Sequence, residues 1–418
     1  MRTWMLRAHR YAGLTLAGFL VIIGLTGSVI AFFNELDARF NPELLTVKPE
    51  GKPIPLLELR EKLEAQDPRS HVYYLHFPES PDQSVSAYAE GAIDPKTGEP
   101  HPLNYDEVFA NPYSGERLGE RHWGNFSFER KDLLTSLYYL HYSLVLPEAL
   151  GEGFMGFVAL FWAIDCFVGL YLTLPARRKD GNGSIKSYWK RWFQSWRIRT
   201  NAGSKRLIFD FHIAVSLSVW LMLLLFALSG FSFNLPDAYA SVMRRVTNFE
   251  DLDRRPELEK PLSKPAIGWE QALQLGREYM DEQARLHGFT INRPASLIYR
   301  RQTGVFYYRV HSSRDLVRYG ATSVAIDATT GNLLGVEIPT GHRPGNTFTS
   351  WIASIHMAMV GGVPMKIFVS CMGMVVVALS ITGVLIWWRI RRPFRRPWIV
   401  RVMRNLRRDA ASPPSHPV

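Results

Sequence analysis

Four long runs of apolar residues interrupt an otherwise polar chain of 418 residues. They lie near residues 10–33, 154–174, 212–233 and 366–388. A helix needs roughly 20 apolar residues to cross a hydrocarbon core of about 30 Å, and each run meets that length. The first run is too long, and too well matched to the third, to be a cleaved signal peptide. The pattern therefore predicts four retained transmembrane helices.

Basic residues are concentrated on one side of this four-helix arrangement. The segment 175–210 carries ten Lys and Arg against two acidic residues, and the tail after Trp388 carries nine Arg and one Asp. Three further Arg residues stand at the start of the chain. By the positive-inside rule both termini are cytoplasmic, and the long loops 34–153 and 234–364 are periplasmic or extracellular. This topology accounts for most of the net charge of +11, so nucleic-acid binding is not needed to explain it.

The cysteine content excludes two kinds of chemistry. Cys166 and Cys371 are the only cysteines, and both lie inside predicted spans, so no disulfide framework is expected. The sequence has no Cys-x-x-Cys-His motif for covalent haem attachment. Any haem in this protein would therefore be of the non-covalent b type.

The same landmarks occur in the same order in both halves of the chain. His9 to His212 and Gly27 to Gly230 are each separated by 203 residues, and His141 to His356 by 215. The segment Ala-Ile-Asp-x-x-Thr-Gly occurs at 92–98 and again at 325–331. These matches predict two parallel halves, each built as span, domain and span, related by a pseudo-twofold axis along the membrane normal.

Each long loop has the pattern of a small α+β domain. Amphipathic helices are predicted at 55–66 and 269–284, and the repeated Asp-x-x-Thr-Gly segments have turn chemistry. Strand patterns follow each helix, at 71–77, 84–90 and 107–117 in the first loop and at 296–301, 304–311 and 323–327 in the second.

Several motifs resemble the PepSY-associated transmembrane family, and the resemblance covers nearly the whole chain. They are His9-Arg10-Tyr11-Ala12-Gly13, Leu140-His141-x-x-Leu144, Ile355-His356, the duplicated Asp-x-x-Thr-Gly segments and Thr382-Gly383-x-x-x-Trp387-Trp388-Arg389. The first half departs from the pattern at its second span, where Gly169-Leu-Tyr-Leu replaces the Thr-Gly…Trp ending. The resemblance implies an iron-regulated protein of the bacterial inner membrane. Characterised relatives are di-haem reductases that release iron from siderophores in the periplasm.

Pattern and resemblance together predict an α-helical membrane protein with four transmembrane helices in two parallel span–domain–span repeats, plus two periplasmic α+β PepSY-like domains. The expected segments are a first transmembrane helix (1–33), PepSY-like domain 1 (34–132), an interfacial helix with the second span (133–175), a basic cytoplasmic loop (176–210), the third span (211–234), PepSY-like domain 2 (235–347), an interfacial helix with the fourth span (348–390) and a basic cytoplasmic tail (391–418).

Four histidines at the edges of the spans are the candidate haem ligands. Two neutral imidazoles on opposite faces saturate a haem iron, which favours electron transfer over binding of a small molecule. Symmetry pairs His9 with His212 at the cytoplasmic side and His141 with His356 at the outer side, and other pairings stay open. A single histidine at a helix end is commonly an ordinary interfacial residue. Four in two symmetric pairs favour ligation of two b-type haems.

Arginines near the histidines are candidate partners of the haem propionates, because the guanidinium fork suits a carboxylate. Arg10 and Arg206, with Arg7, are predicted to serve the inner pair. Arg121 and Arg343 are weaker candidates for the outer pair. Ordinary positive-inside charge explains the inner set equally well.

Two other signals bear on the electron donor. The segment 151–156 matches G-x-G-x-x-G, but it lacks the βαβ unit of a dinucleotide site, so electrons must come from a separate, unidentified donor. The basic, aromatic segment 188–196 is interpreted as an interfacial helix on anionic membrane lipid, and alternatively as a docking face for a reductase.

The predicted function is that of an oxidoreductase that reduces a ferric siderophore or a similar iron chelate. A non-redox alternative is a PepSY binding or inhibitory module that restrains an extracytoplasmic peptidase. A transporter is the third possibility, for which Asp165 is the one ionisable candidate near the middle of a span. Haem content distinguishes the first hypothesis from the other two.

Overall fold

A computed structural model describes residues 1–176, 185–317 and 319–391. Its helices are α1 (Arg2–Ile30), α2 (Phe33–Phe40), α3 (Pro42–Leu45), α4 (Leu56–Gln66), α5 (Leu133–Ser143), α6 (Glu148–Thr173), α7 (Ile185–Trp192), α8 (Ser204–Ser218), α9 (Trp220–Asn234), α10 (Pro236–Val246), α11 (Trp269–His287), α12 (Pro344–His356) and α13 (Gly362–Arg391). Its strands are β1 (Ser70–His76), β2 (Val85–Gly91), β3 (Glu107–Ala110), β4 (Arg117–Arg121), β5 (Ile291–Arg300), β6 (Val305–Ser312), β7 (Thr322–Asp327) and β8 (Leu333–Glu337).

Within the described residues, three helices are long and apolar enough to cross a membrane, namely α1, α6 and α13. The third predicted span is not one straight helix, because α8 and α9 are bent by 67°. Counted as one broken span, this pair raises the number of candidate spans to four. The predicted basic tail (391–418) lies almost wholly outside the described residues, and the basic loop (176–210) lies partly outside them.

Two serine hydroxyls bond carbonyls of their own helix just before the break between α8 and α9. Ser216 and Ser218 donate hydroxyl hydrogen bonds to the carbonyls of Ile213 and Ala214, at 3.0 and 2.8 Å. Such bonding of a side chain to its own helix competes with the backbone ladder and bends helices. Val219, between the two helices, has a non-helical ψ of 11°. Apolar periodicity could not reveal this break, because the apolar run continues through it.

The chain divides into two compact units. The first comprises the described parts of 1–21, 165–220 and 377–418, and the second comprises 22–164 and the described parts of 221–376. The first unit contains His9 and His212. The second contains His141, His356 and all eight strands.

The strands of both long loops form a single antiparallel sheet in the second unit. Its order is β4-β3-β2-β1-β5-β6-β7-β8, so each loop supplies four adjacent strands. The halves join where β1 pairs with β5, with Tyr74 opposite Ile298 and His76 opposite Ser296. The sequence predicted one α+β domain per loop. In the fold each loop contributes four strands and one helix that covers them, α4 or α11, and the two sets of strands join edge to edge.

Two strand predictions differ from the structure. The predicted strand 107–117 is two strands, β3 and β4, because the chain turns where Gly115 adopts a φ of +77°. The backbone N–H of Asn111 donates to the backbone carbonyl of Glu116 across this turn at 2.9 Å. β8 was not predicted, and its five residues are too few for a clear alternating pattern.

Helices α4 and α11 cover one face of the sheet. Leu59 and Leu63 of α4 pack in a cluster with Val72 and Leu75 of β1. On the other half, Ala272 and Met280 of α11 pack in a cluster with strand residues, including Leu297 and Phe306. The apolar face of each predicted amphipathic helix is thereby buried, which is what its periodicity requires.

Two short helices carry His141 and His356, the pair of histidines predicted for the outer side. His141 lies near the end of α5 and His356 is the last residue of α12. Ile352 of α12 packs in an apolar cluster with Phe231 and Tyr239. Tyr138 of α5 makes edge contacts with Phe33 and Trp123. Packing on both sides therefore fixes the helices that present the two imidazoles.

Candidate functional site

The imidazoles of His141 and His356 lie next to each other in the second unit. Their ring centroids are 6.3 Å apart and their planes are almost perpendicular, at 88°. An imidazole nitrogen binds a metal at about 2 Å and the ring centre lies about 1 Å behind it, so two imidazoles on opposite sides of one iron have centroids about 6 Å apart. The observed separation fits a shared metal.

The orientation of His141 is fixed by a hydroxyl on α1. Nδ1 of His141 lies 3.0 Å from Oγ1 of Thr26. The Thr26 hydroxyl donates its single hydrogen to the Ile22 carbonyl at 2.8 Å, so its oxygen accepts from Nδ1–H of the imidazole. That tautomer leaves the lone pair on Nε2, which is the atom needed for a metal.

His356 is held in the same way by α9. Nδ1 of His356 lies 2.5 Å from Oγ of Ser229, which itself donates to the Leu225 carbonyl at 2.8 Å. Phe226 and Phe233 pack edge-on against the imidazole, with centroids 5.1 and 5.4 Å away. The ring is therefore oriented by one hydrogen bond and two aromatic contacts.

Both outer imidazoles are neutral at physiological pH. Burial lowers the pKa of His141 to about 4. Burial, with a smaller contribution from the neighbouring His141, lowers the pKa of His356 to about 3. A neutral imidazole is the form that binds a metal, so no proton has to be displaced at neutral pH.

The backbone after each outer histidine is strained. Leu144 and Val145, which follow His141, have φ values of 57° and 61°. Ala358, two residues after His356, has a φ of 53°. These are the described non-glycine residues with positive φ, and such conformations persist only where surrounding contacts enforce them. In both halves, therefore, residues with positive φ follow the helix that carries the histidine.

His9 has a carboxylate partner in the first unit. Nδ1 of His9 lies 2.9 and 3.0 Å from the two oxygens of Asp165 on α6. The acidic side chain is 13% exposed and that of His9 is 33% exposed. A Cβ on Gly169, one turn along α6, would meet Cε1 of His9 at 3.4 Å. The bond again uses Nδ1 and leaves Nε2 for a ligand.

His212 repeats this arrangement with a hydroxyl. Nδ1 of His212 lies 2.9 Å from Oγ1 of Thr382 on α13, and that hydroxyl donates to the Ala378 carbonyl at 2.8 Å. A Cβ on Gly383 would lie 3.4 Å from Cε1 of the His212 imidazole. His9 and His212 both belong to the first unit, and their pairing stays a prediction.

The arginines predicted to pair with haem propionates differ in the partners that they have in the structure. Arg206 forms an ion pair with the buried carboxylate of Asp210 at 2.8 Å, and Arg199 shares that carboxylate. Arg10 follows His9 on α1 and is partly exposed. At the outer pair, Arg121 and Arg343 are bound to Asp37 and Glu250, respectively. The roles of Arg10 and Arg206 stay predictions, and the two outer arginines already have carboxylate partners.

The donor set suits a metal that brings most of its own ligands. Among the described residues, no group of three or more His, Cys, Asp or Glu side chains could hold a bare metal ion. Structural and catalytic zinc sites need three or four protein ligands. Two imidazoles would suffice to hold a haem, which brings its other donor atoms itself. The residues present therefore fit haem.

Sequence reasoning missed the four groups that orient the imidazoles. Thr26 and Ser229 directly precede the matched glycines Gly27 and Gly230, and Thr382 was noted only as part of a closing motif. Asp165 appeared only as a transport candidate. Two signals could have identified them: a hydroxyl residue next to glycine in a span, and a lone carboxylate in a span. A histidine that binds a metal through one ring nitrogen usually has a hydrogen-bond partner for the other nitrogen, so polar residues of this kind are expected near it.

Comparison with known proteins agrees with the motifs in the sequence. The model of the PepSY-associated TM region matches residues 6–408. No curated protein matches the chain. Since the match spans nearly the full sequence, the chain belongs to the PepSY-associated transmembrane family.

Proposed function

We propose that this protein is a di-haem b-type reductase of the bacterial inner membrane that passes electrons to a periplasmic ferric chelate, such as a ferric siderophore. The observation that carries the proposal is the pair of outer imidazoles, 6.3 Å apart, with each Nδ1 bonded and each Nε2 left for iron. The inner histidines have the same Nδ1 bonding. Family membership and the candidate spans support a membrane location.

The four histidines would hold the two haems, His9 with His212 and His141 with His356. Bound haem supplies one-electron redox chemistry. The protein's contribution is to fix each imidazole through its Nδ1 partner and to surround the outer pair with apolar side chains, including Phe226 and Phe233. Both actions tune the affinity and the potential of a bound metal.

Release of iron follows from the chemistry of the substrate. Chelators with hard oxygen ligands hold Fe(III) strongly and Fe(II) weakly. One electron, supplied by a separate donor, converts Fe(III) to Fe(II) without making or breaking a covalent bond in the chelator. No acid–base catalyst is required, so the protein needs only to position the chelate near the outer histidine pair.

We expect the chelate to contact the sheet near the junction of its two halves. Tyr74 stacks on His76 there, with centroids 4.3 Å apart, and Tyr88 packs against both rings. Tyr88 lies between Ala87 and Ala89, which face α4, so it belongs to the opposite face. Aromatic rings offer a flat surface to a large chelate while their polar atoms can donate hydrogen bonds.

Haem content tests the proposal directly. Full-length protein purified in detergent after haem-supplemented expression should give two haems per polypeptide in a pyridine haemochrome assay. The variant His356→Ala should retain one, because its remaining partner offers a single ligand. His122→Ala, at an exposed histidine outside both pairs, should retain two.

The outcome also separates the alternatives. A colourless wild-type protein would contradict the reductase proposal and favour a non-redox PepSY binding module or a transporter. Loss of no haem in His356→Ala would refute the pairing of His141 with His356. Reduction of a ferric siderophore by the dithionite-reduced protein, followed with a ferrous-specific indicator, then tests the reaction itself.

A further inference from the structure

One of the four histidines has a different kind of partner from the other three. Nδ1 of His141, His356 and His212 each bonds a neutral hydroxyl oxygen. Nδ1 of His9 bonds the carboxylate of Asp165, with both oxygens within 3.0 Å. The two halves of the chain are otherwise alike at these positions, so the carboxylate is an asymmetry within a repeated design.

The chemical difference between these acceptors is large. The hydroxyl oxygens of Thr26, Ser229 and Thr382 are neutral, and each group gives its hydrogen to a helix carbonyl at 2.8 Å. A carboxylate is an anionic acceptor, and hydrogen bonds to an ionised group are roughly twice as strong as neutral ones. A carboxylate on the far nitrogen raises the basicity of an imidazole ligand.

A purely structural role does not account for the carboxylate. Asp165 lies within α6, a candidate span, where ionisable groups are costly and usually functional. Among the described residues His9 is its one ion-pair partner. A second polar contact already joins this end of α1 to the end of α6, because Arg2 donates to the carbonyls of Leu172 and Leu174 at 2.7 and 2.8 Å. A hydroxyl like that of Thr382 would orient the ring equally well.

We propose that Asp165 is a positioning residue that makes His9 the strongest electron donor of the four imidazoles, and so gives the His9/His212 centre a lower reduction potential than the His141/His356 centre. The inference rests on the proposed function, because it requires both pairs to hold haem. A more basic axial ligand stabilises the ferric state over the ferrous state. Electrons that enter at the inner pair then move downhill toward the outer pair.

The test is a potentiometric titration of the full-length, haem-loaded protein, followed by its visible spectrum. Wild type should show two resolved midpoints. Asp165→Asn keeps the size of the side chain but removes its charge. We expect the reduction equilibrium of the lower-potential centre to change roughly tenfold, so its midpoint potential should rise by about 59 mV for one electron. The upper midpoint should stay in place. Thr382→Val, the matched control, removes a neutral acceptor and should cause a smaller shift.

The results distinguish failure of this inference from failure of the proposed function. Two bound haems with both midpoints unchanged in Asp165→Asn would overturn the role of Asp165 and leave the reductase standing. Wild-type protein without haem would overturn the reductase itself. If Asp165→Asn loses one haem, the unmodified protein decides: its two low-spin ferric EPR signals must differ, with stronger axial donation at one centre. Two identical signals would overturn the inference.

Discussion

Gly27 on α1 lies directly against the imidazole of His141. A Cβ at this position would be 2.9 Å from Cε1 of the ring, closer than side-chain carbons normally approach. The repeated glycine in the other half, Gly230, behaves differently, since its Cβ would meet Ala159 at 3.3 Å and not a histidine. The two halves therefore use the same glycine for different contacts, although the sequence matches them at an offset of 203 residues.

Alanine at Gly27 is expected to displace the His141 imidazole and weaken the outer centre. We predict that Gly27→Ala binds close to one haem per chain, or two with an altered outer spectrum, because the added methyl group forces the ring away from Thr26. Gly230→Ala is the matched control, and it should retain both haems after a small adjustment of Ala159. Equal haem content and identical spectra in both variants would contradict the close contact at Gly27. Pyridine haemochrome and reduced-minus-oxidised spectra provide the measurement.

The hydroxyl of Thr26 should matter beyond its volume. Thr26→Val keeps the shape of the side chain but removes the acceptor for Nδ1–H of His141. Loss of such an outer-shell partner typically weakens metal binding by 10–100-fold, and we expect roughly that effect on haem retention during competition with apomyoglobin. Thr15→Val provides the control on the same helix, because the Thr15 hydroxyl donates to the Tyr11 carbonyl and has no bond to a histidine among the described residues. Equal haem loss from both variants would argue against a specific role for Thr26.

A buried ion pair should dominate the stability of the region near the sheet edge. Arg121 and Asp37 are joined by two hydrogen bonds of 2.8 and 2.6 Å, and their side chains are 2% and 6% exposed. Arg121→Leu leaves the Asp37 carboxylate buried without its cation, which should cost roughly 3–5 kcal/mol in the free energy of unfolding.

The exposed pair of Arg130 and Glu43 is the control for this prediction, because Arg130→Leu should cost under about 1 kcal/mol. Thermal unfolding in detergent, followed by circular dichroism of the sheet, measures both variants. If both variants lost a similar amount of stability, burial of the Arg121–Asp37 pair would not increase its contribution to the fold.

Glu337 should make stability depend on pH. Burial, with smaller contributions from Asp253 and Asp251, raises the pKa of this β8 carboxyl to about 8, above its ordinary value of 4.5. The folded state therefore binds the proton more tightly than the unfolded chain does. The stability that this proton contributes is fully present below about pH 4.5, declines above it, and is lost as the pH rises through about 8.

The variant Glu337→Gln tests that sign. A neutral amide removes the titration, so the variant should melt at a higher temperature than wild type at pH 8.5 and should show less decline between pH 5.5 and 8.5. Glu99→Gln, at an exposed turn residue, should keep the wild-type decline. Parallel curves for Glu337→Gln and wild type across this range would contradict the buried, protonated carboxyl.

Amphipathic helices and most strands could be predicted from the sequence because their periodicities are local. The predicted helix 55–66 is α4 (Leu56–Gln66), and the strand 304–311 is β6 (Val305–Ser312). The apolar runs likewise identified three helices that can cross a membrane. The bend between α8 and α9 was not predicted, because the apolar run continues through it.

The candidate ligands were also found in the sequence, because histidines at matched positions in two repeats are visible without a fold. The apolar runs likewise predicted the membrane character, and short motifs predicted the family, since both are visible along the chain. Only the tertiary structure decided that the two loops share one sheet through β1 and β5, and that Asp165 bonds His9 while hydroxyls bond the other three rings. Such pairings join residues far apart in sequence, as in the 156 residues between His9 and Asp165, and local patterns carry no information about which distant side chains meet.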